Sequence, residues 1–181
     1  MGRRTQITIN QESMAIGKYF VSQFRWSKGV WIISIITTLV LVGTGLIYLF
    51  SPDMALGWGR YLLIFLVVPL PAILFCTSPR YLCLYGNELI VKRWVGRVTI
   101  NTKDIISIEE ADRGVILRSK RTMGNGGMFG YYGYFHCRLY GKFRMFAGEL
   151  SNLYLIRTPK YNYVLSCPNK ELIEALKERI K

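Results

Sequence analysis

Acidic side chains are scarce in this chain. Eleven Asp and Glu stand against 24 Lys and Arg, a net charge of +13 with a pI near 9.8. Such an imbalance favours nucleic acid or an anionic membrane surface as a partner. In a membrane-embedded chain it has a plainer origin, because Lys and Arg collect on the cytoplasmic side. Metal ligands are equally sparse. Cys76, Cys83, Cys137 and Cys167 form no CxxC pair, and the lone His136 does not complete a ligand set, so neither a metal site nor a cofactor is expected. Reduced cysteines in a cytoplasmic domain are the default. A catalytic constellation is missing too. Glu109 and Glu110 adjoin Asp112, but no His, Ser or Cys partner is implied beside them, and acid–base or nucleophilic chemistry needs convergent groups. The expectation is a protein that is not an enzyme. Processing signals are lacking as well: no apolar core follows closely on Met1-Gly2-Arg3-Arg4, no small-x-small cleavage site follows, and Gln6 stands where a myristoylation signal has Ser or Thr.

What the chain has is apolar sequence in long runs. Half of it is hydrophobic (51%) although 19% is charged, so the apolar residues must be concentrated. No charge occurs between Gly29 and Pro52. As a helix, residues 30–50 rise about 31 Å, matching a hydrocarbon core of about 30 Å. Trp31 and Tyr48 lie near the two ends, where amphipathic rings prefer the interface. A second uncharged run extends from Tyr61 to Pro79, interrupted by Pro69 and Pro71. It reads as a kinked second span over 61–77 packed on the first, with a re-entrant segment as the alternative. The short connection Ser51–Arg60 forces an antiparallel helical hairpin. Arg3, Arg4, Lys18, Arg25 and Lys28 precede the first span, and Arg80, Lys92, Arg93 and Arg97 follow the second. That bias predicts a multi-pass protein of the cell inner (plasma) membrane with both termini cytoplasmic.

Three regions follow: an N-terminal cytoplasmic arm over 1–28, the transmembrane hairpin over 29–79, and a cytoplasmic domain over 80–181. In the arm, residues 5–10 alternate as a short strand would. Residues 13–26 read as helical, either an interfacial amphipathic helix or an extension of the first span, with Met14, Phe20 and Phe24 on one stripe. Beyond Arg80, short β-branched and aromatic runs alternate with turns. They are 81–85, a two-residue turn at Gly86-Asn87, 89–95, 98–100, 105–108, 115–117, 135–146, 153–156 and 161–165. From Pro168 to Lys181, Leu172, Ile173, Leu176 and Ile180 mark an amphipathic helix, with Glu171 near its start and Lys177 and Arg179 near its end.

Two stretches are familiar. One is Tyr85-Gly86-Asn87-Glu88-Leu89-Ile90-Val91-Lys92-Arg93, running on to Ile100 and Asp104-Ile105-Ile106-Ser107-Ile108-Glu109. The other is Gly124-Asn125-Gly126-Gly127-Met128-Phe129-Gly130-Tyr131-Tyr132-Gly133-Tyr134-Phe135, with Gly141 soon after. Residues 79–181 thereby resemble the bacterial pleckstrin-homology-like (PH-like) domains, many of which follow a two-helix membrane hairpin. The resemblance implies an α+β membrane protein: a transmembrane hairpin, then an antiparallel β-barrel or sandwich of about seven strands with a C-terminal helix. It implies binding or scaffolding rather than catalysis, and no particular ligand. Eukaryotic relatives that bind phosphoinositides use a long basic loop between the first two strands. Here that loop is Gly86-Asn87 followed by Glu88, which cannot wrap an inositol phosphate.

Two segments are candidate sites. Arg118, Lys120 and Arg121 form a basic cluster, read either as a solvated loop or as a dock for anionic headgroups, about 1 kcal/mol per charge near the surface. The glycine-aromatic block reads as a glycine-bent hairpin with its aromatics on the sheet. Its alternative is a membrane or partner contact by exposed Met128, Phe129, Tyr131, Tyr132 and Tyr134. A phosphate cradle fits poorly, because strand rather than helix follows. The predicted role is a membrane-anchored binding or scaffold module docking a protein partner or the anionic inner leaflet. A small accessory subunit of a transport or secretion assembly is the alternative, and a membrane-associated enzyme ranks last. The expected partners are the lipid bilayer and either a protein or a second copy of the chain, with no nucleic acid.

Overall fold

The computed structural model describes residues 19–50 and 58–180. The strand expected over 5–10 and the first part of the helix expected over 13–26 lie outside these residues, as does most of the interhelical loop. What is described of the arm is extended. Strand β1, Phe20–Gln23, pairs antiparallel with β2, Pro79–Tyr85, in the register Phe20↔Leu84 to Gln23↔Tyr81. The helical expectation is therefore corrected for this stretch. Phe20 and Phe24 are four residues apart, a spacing that fits a helical stripe and a strand face alike. The free edge of β2 decides in favour of strand, and Phe24 enters the core.

Helix α1, Lys28–Phe50, follows. Ser27 caps it, its Oγ accepting from the Val30 amide at 3.3 Å. Over Lys28–Ile47 its mean hydropathy is 2.3, and it is long and apolar enough to cross a membrane by length and composition. Only 17% of that stretch is buried. A core helix of a water-soluble protein would be mostly covered. The return is made by two shorter helices, α2 (Trp58–Val67) and α3 (Leu70–Thr77), with the break at Val68-Pro69. Proline cannot donate to the helical ladder, so Pro69 and Pro71 divide what the sequence suggests is one kinked span. Among the described residues, α1 alone passes the length criterion for crossing. At Gly45 the returning chain comes close: a Cβ there would lie 2.8 Å from Val68 Cγ2.

The remainder is a sandwich. One sheet has the order β1-β2-β3-β4, adding β3 (Glu88–Arg93) and β4 (Arg97–Asn101). The turn between β2 and β3 is the expected Gly86-Asn87, although only Gly86 takes positive φ (52°). The other sheet has the order β5-β9-β10-β8-β7-β6. Its strands are β5 (Ser107–Glu110), β6 (Lys120–Gly127), β7 (Gly130–Cys137), β8 (Gly141–Ala147), β9 (Leu153–Arg157) and β10 (Asn162–Ser166). The expectation of about seven antiparallel strands in the domain is corrected on two counts: β2–β10 make nine there, with β1 added from the arm, and β10 runs parallel to β8. The long run 135–146 divides at a turn into β7 and β8. Residues 115–117, expected as strand, lie in the short helix α4, Arg113–Leu117, because Asp112 caps its N-terminus through the Gly114 amide and Ile116 is buried beneath it.

The second sheet is covered on both faces. Tyr132, Phe146, Tyr154, Ile156 and Leu165 face the first sheet. Phe143, Met145, Leu155 and Val164 face the opposite way, beneath Ile116 and Tyr140. The C-terminal helix α5, Lys170–Glu178, closes the core with Leu172, Ile173 and Leu176. Asn169 rather than Pro168 begins it, its Oδ1 accepting from the Glu171 amide at 3.0 Å.

Candidate functional site

The glycine-aromatic block forms the β6–β7 hairpin, and its glycines have a steric reason. Gly124 and Gly133 face each other across the ladder, and a Cβ on either would lie 2.6 or 2.5 Å from the other's Cα. Both also take φ near +130° (134° and 125°), where side chains are strained. The two-residue tip, Met128-Phe129, is carried onto the apolar helices. There the Phe129 amide donates to Ser34 Oγ at 2.8 Å, six residues into α1. Ser34 Oγ in turn donates to the Val30 carbonyl at 2.6 Å. Phe129 sits at φ +57°, a conformation that a bulky residue holds only when its surroundings over-determine it. Its ring lies 5.7 Å from Trp26 and 5.4 Å from Phe75 of α3.

Deeper in the hairpin, the Tyr132 hydroxyl donates to the Leu74 carbonyl at 2.6 Å and receives bonds from Thr77 and Asn125. Asn125 also closes the tip by donating to the Met128 carbonyl. On the other sheet, the β3–β4 turn meets the same helix end. The Val95 amide donates to the Cys76 carbonyl at 3.0 Å, Trp94 packs 5.2 Å from Phe75, and the Arg80 guanidinium lies 3.9 Å over the Trp94 ring. Each sheet thus contributes one turn to a shared aromatic and hydrogen-bonded joint with the helices.

The five aromatic-block candidates separate. Met128 and Tyr132 are buried, Phe129 and Tyr131 are half-buried, and Tyr134 is exposed. The alternative reading, in which all five are exposed, is corrected for Met128 and Tyr132, which pack inward as the glycine-bent hairpin reading expects. Three of them, Met128, Phe129 and Tyr132, belong to the joint within the chain. The basic candidates separate too. Arg118 and Lys120 line a cleft of about 450 Å³ together with Val115, His136, Cys137, Arg138 and Leu139. Arg121 turns away, its guanidinium close to Gly126. Lys120 begins β6 and is not in a loop. Sequence reading missed His136 and Arg138. The signal was strand register: Lys120 pairs with His136, and His136 with Lys142, in one cross-strand row. Basic side chains aligned this way repel one another.

The cleft lies at the base of the hairpin whose tip touches α1. From Gly130 to His136 the strand rises on the order of 20 Å. The two features therefore occupy opposite ends of β6–β7.

A second group of cations was also invisible in sequence. Arg93 ends β3 on the side that carries Leu89 and Val91, and Arg144 stands on the facing side of β8, between Tyr134 and Tyr163 in register. Arg144 is 5.3 Å from the Tyr134 ring and 5.0 Å from the Phe146 ring. The Nε atoms of both arginines are buried with no hydrogen-bond partner among the described residues. Burial, and then the charge of Arg144, depress the Arg93 pKa. Burial raises the Tyr163 pKa, with Arg144 opposing it.

Elsewhere titration is local. Hydrogen bonds from Arg157 and Ser107 hold Glu109 below the usual carboxylate range. Burial pushes the Cys167 thiol up. All four cysteines are free, and among the described residues no three His, Cys, Asp or Glu side chains gather as a metal site would need.

Compared with known families, residues 80–180 match the model of the bacterial PH domain. No curated protein and no solved structure matches the chain.

Proposed function

The chain belongs to the bacterial PH domain family, and from that premise we propose that it is a non-catalytic, membrane-anchored docking module. Helix α1 and the returning pair α2–α3 form a transmembrane hairpin in the plasma membrane, with the β-domain on the cytoplasmic side. The domain binds an acidic protein partner in its distal basic cleft. The single observation that carries this reading is the separation along β6–β7: a joint to the apolar helices at the tip, and Arg118, Lys120, His136 and Arg138 around a cleft at the base. At on the order of 20 Å, the cleft lies beyond the screening length of about 8–10 Å over which anionic lipid would act. An acidic protein surface suits it better than the leaflet does. Exposed Leu139 adds an apolar contact to its lining. Against catalysis stands the scarcity of convergent acid, base or nucleophile side chains, His136 being surrounded by cations.

A photo-crosslinking residue at Leu139, in the full chain expressed in its membrane, tests this. One dominant protein adduct is expected, and R118Q/K120Q/R138Q should remove it. An adduct pattern indifferent to those charges would overturn the docking role. The same probe at Phe65, 80% exposed on α2, tests the second reading. A stoichiometric membrane-protein adduct there would mark the chain as a subunit of a larger assembly.

A further inference from the structure

Arg93 and Arg144 stand on facing sides of the two sheets, and the Nε atom of each is buried with no hydrogen-bond partner among the described residues. The charge of Arg144 reaches Arg93 and adds to burial in lowering its pKa. Arg93 precedes Trp94-Val95, which touch Phe75 and Cys76 of α3. Arg144 pairs across the ladder with Tyr134, two residues from the Tyr132 that bonds to Leu74. Two residues of strand are about 7 Å, so the pair lies just beneath the end of the helices. Tyr134, Phe146 and Tyr163 line its surroundings. No carboxylate pairs with either arginine among the described residues, where the ion pair present is Glu109–Arg157. Like charges held together and partly out of water destabilise a fold, and a buried guanidinium nitrogen without a partner adds to that. An anion with several acceptor oxygens would relieve both. The planar fork of Arg matches phosphate in shape, which Lys does not.

We propose that Arg93 and Arg144 clamp the phosphate of an anionic phospholipid headgroup at the mouth between the two sheets. This rests on the membrane reading above, because only an inserted α1 brings the mouth to headgroup depth. Trp26, Trp31 and Trp94 cluster around the same joint, as rings do at the bilayer interface. The mouth is at the opposite end of β3 from the Gly86-Asn87 turn. The site is therefore separate from the loop by which eukaryotic relatives hold inositol phosphates, and separate from the distal cleft.

The test uses the full chain in a neutral detergent, with thermal unfolding followed as lipid is added. Phosphatidylglycerol should raise the midpoint, and phosphatidylcholine at the same mole fraction should not. In R93Q and R144Q the apparent affinity for phosphatidylglycerol should fall about tenfold, the effect of losing one charged hydrogen-bonding partner. R118Q/K120Q should behave as the parent does. Without lipid, the midpoints of R93Q and R144Q should hold or rise, since removing one charge relieves the repulsion. A purely structural arginine would lower them. Should either variant fail to fold, R93K and R144K take its place. They retain the charge and lose the fork, and weaker phosphatidylglycerol binding is again expected. Equal responses to the two lipids, or a parent-like response in R93Q/R144Q, would overturn the clamp. Inorganic phosphate alone reproducing the full shift would overturn the lipid source and leave a phosphate site. A chain that stays in solution without detergent sinks the membrane reading itself. A chain that needs detergent yet shows no phosphatidylglycerol preference sinks the clamp alone.

Discussion

Ser34 carries more of the architecture than its size suggests. Its hydroxyl donates to Val30 within α1 and accepts the amide of Phe129 from the β-domain, and it is buried. Ser34→Ala leaves that amide without its acceptor at a site where water is scarce, a loss of about 1–3 kcal/mol. The melting midpoint of the detergent-solubilised chain should fall, while extraction from membranes is unchanged because α1 remains apolar. An unchanged midpoint would mean that the joint holds through its aromatic rings alone. Tyr19 offers a pH-dependent counterpart. Burial, then a hydrogen bond to Cys83 at 3.6 Å, raise its pKa to about 12. The folded value exceeds the usual 10.0, so above that value the unfolded chain loses the proton first. Tyr19 thus contributes stability that is whole below pH 10 and declines as pH rises towards 12. Melts across this window should fall more steeply for the parent than for Tyr19→Phe, and parallel curves would dismiss the contribution.

Strand β1 shows where the boundaries of a domain can mislead. It supplies an edge strand to the first sheet, and Phe24 fills the core beside Leu82 and Leu84. Deleting residues 1–27, or expressing 80–181 alone, exposes the β2 edge and removes a buried Phe, for which truncation costs about 3–5 kcal/mol. The isolated domain should therefore aggregate or melt well below the full chain, as light scattering and calorimetry would register. An equally stable fragment would show β1 to be an accessory. The sequence discloses little of this, because Phe20 and Phe24 suit both periodicities and the pairing partner lies some sixty residues away. Local signals fared better. The Gly86-Asn87 turn, the apolar stripe of α5 and the glycine-bent hairpin were all legible, each being set by a few neighbouring residues. Residues 115–117 misled because three apolar residues carry no period, and the capping Asp112 outweighs them. The basic cleft was half legible: Arg118 and Lys120 stand close in sequence. His136 joins them through register alone, as Arg93 and Arg144 come to face each other only through the packing of two sheets.

For the whole molecule the governing question is which solvent surrounds α1. Leu39 lies midway along Lys28–Phe50 and is 66% exposed. In water, Leu39→Arg on an uncovered helix face would be close to neutral and would favour solubility, since surface substitutions of this kind stay within about 0.5 kcal/mol. In hydrocarbon the same change costs about 3 kcal/mol at the centre of a span, which is on the order of a hundredfold in the insertion equilibrium. The two solvents therefore predict opposite outcomes from one side chain. Ser34, which holds the tip of the β6–β7 hairpin, lies six residues from the start of the same helix, so a failure to insert α1 would also leave the aromatic joint and the mouth between the sheets without their membrane setting. We expect L39R to shift the protein from the carbonate-resistant membrane fraction towards the supernatant or degradation. L39I, which conserves volume and hydrophobicity, should remain in the membrane. An L39R chain that folds, stays in solution and melts like the parent would show α1 to be a water-exposed helix. The domain would then be free of the bilayer, and a headgroup at Arg93 and Arg144 would have no lipid surface to come from.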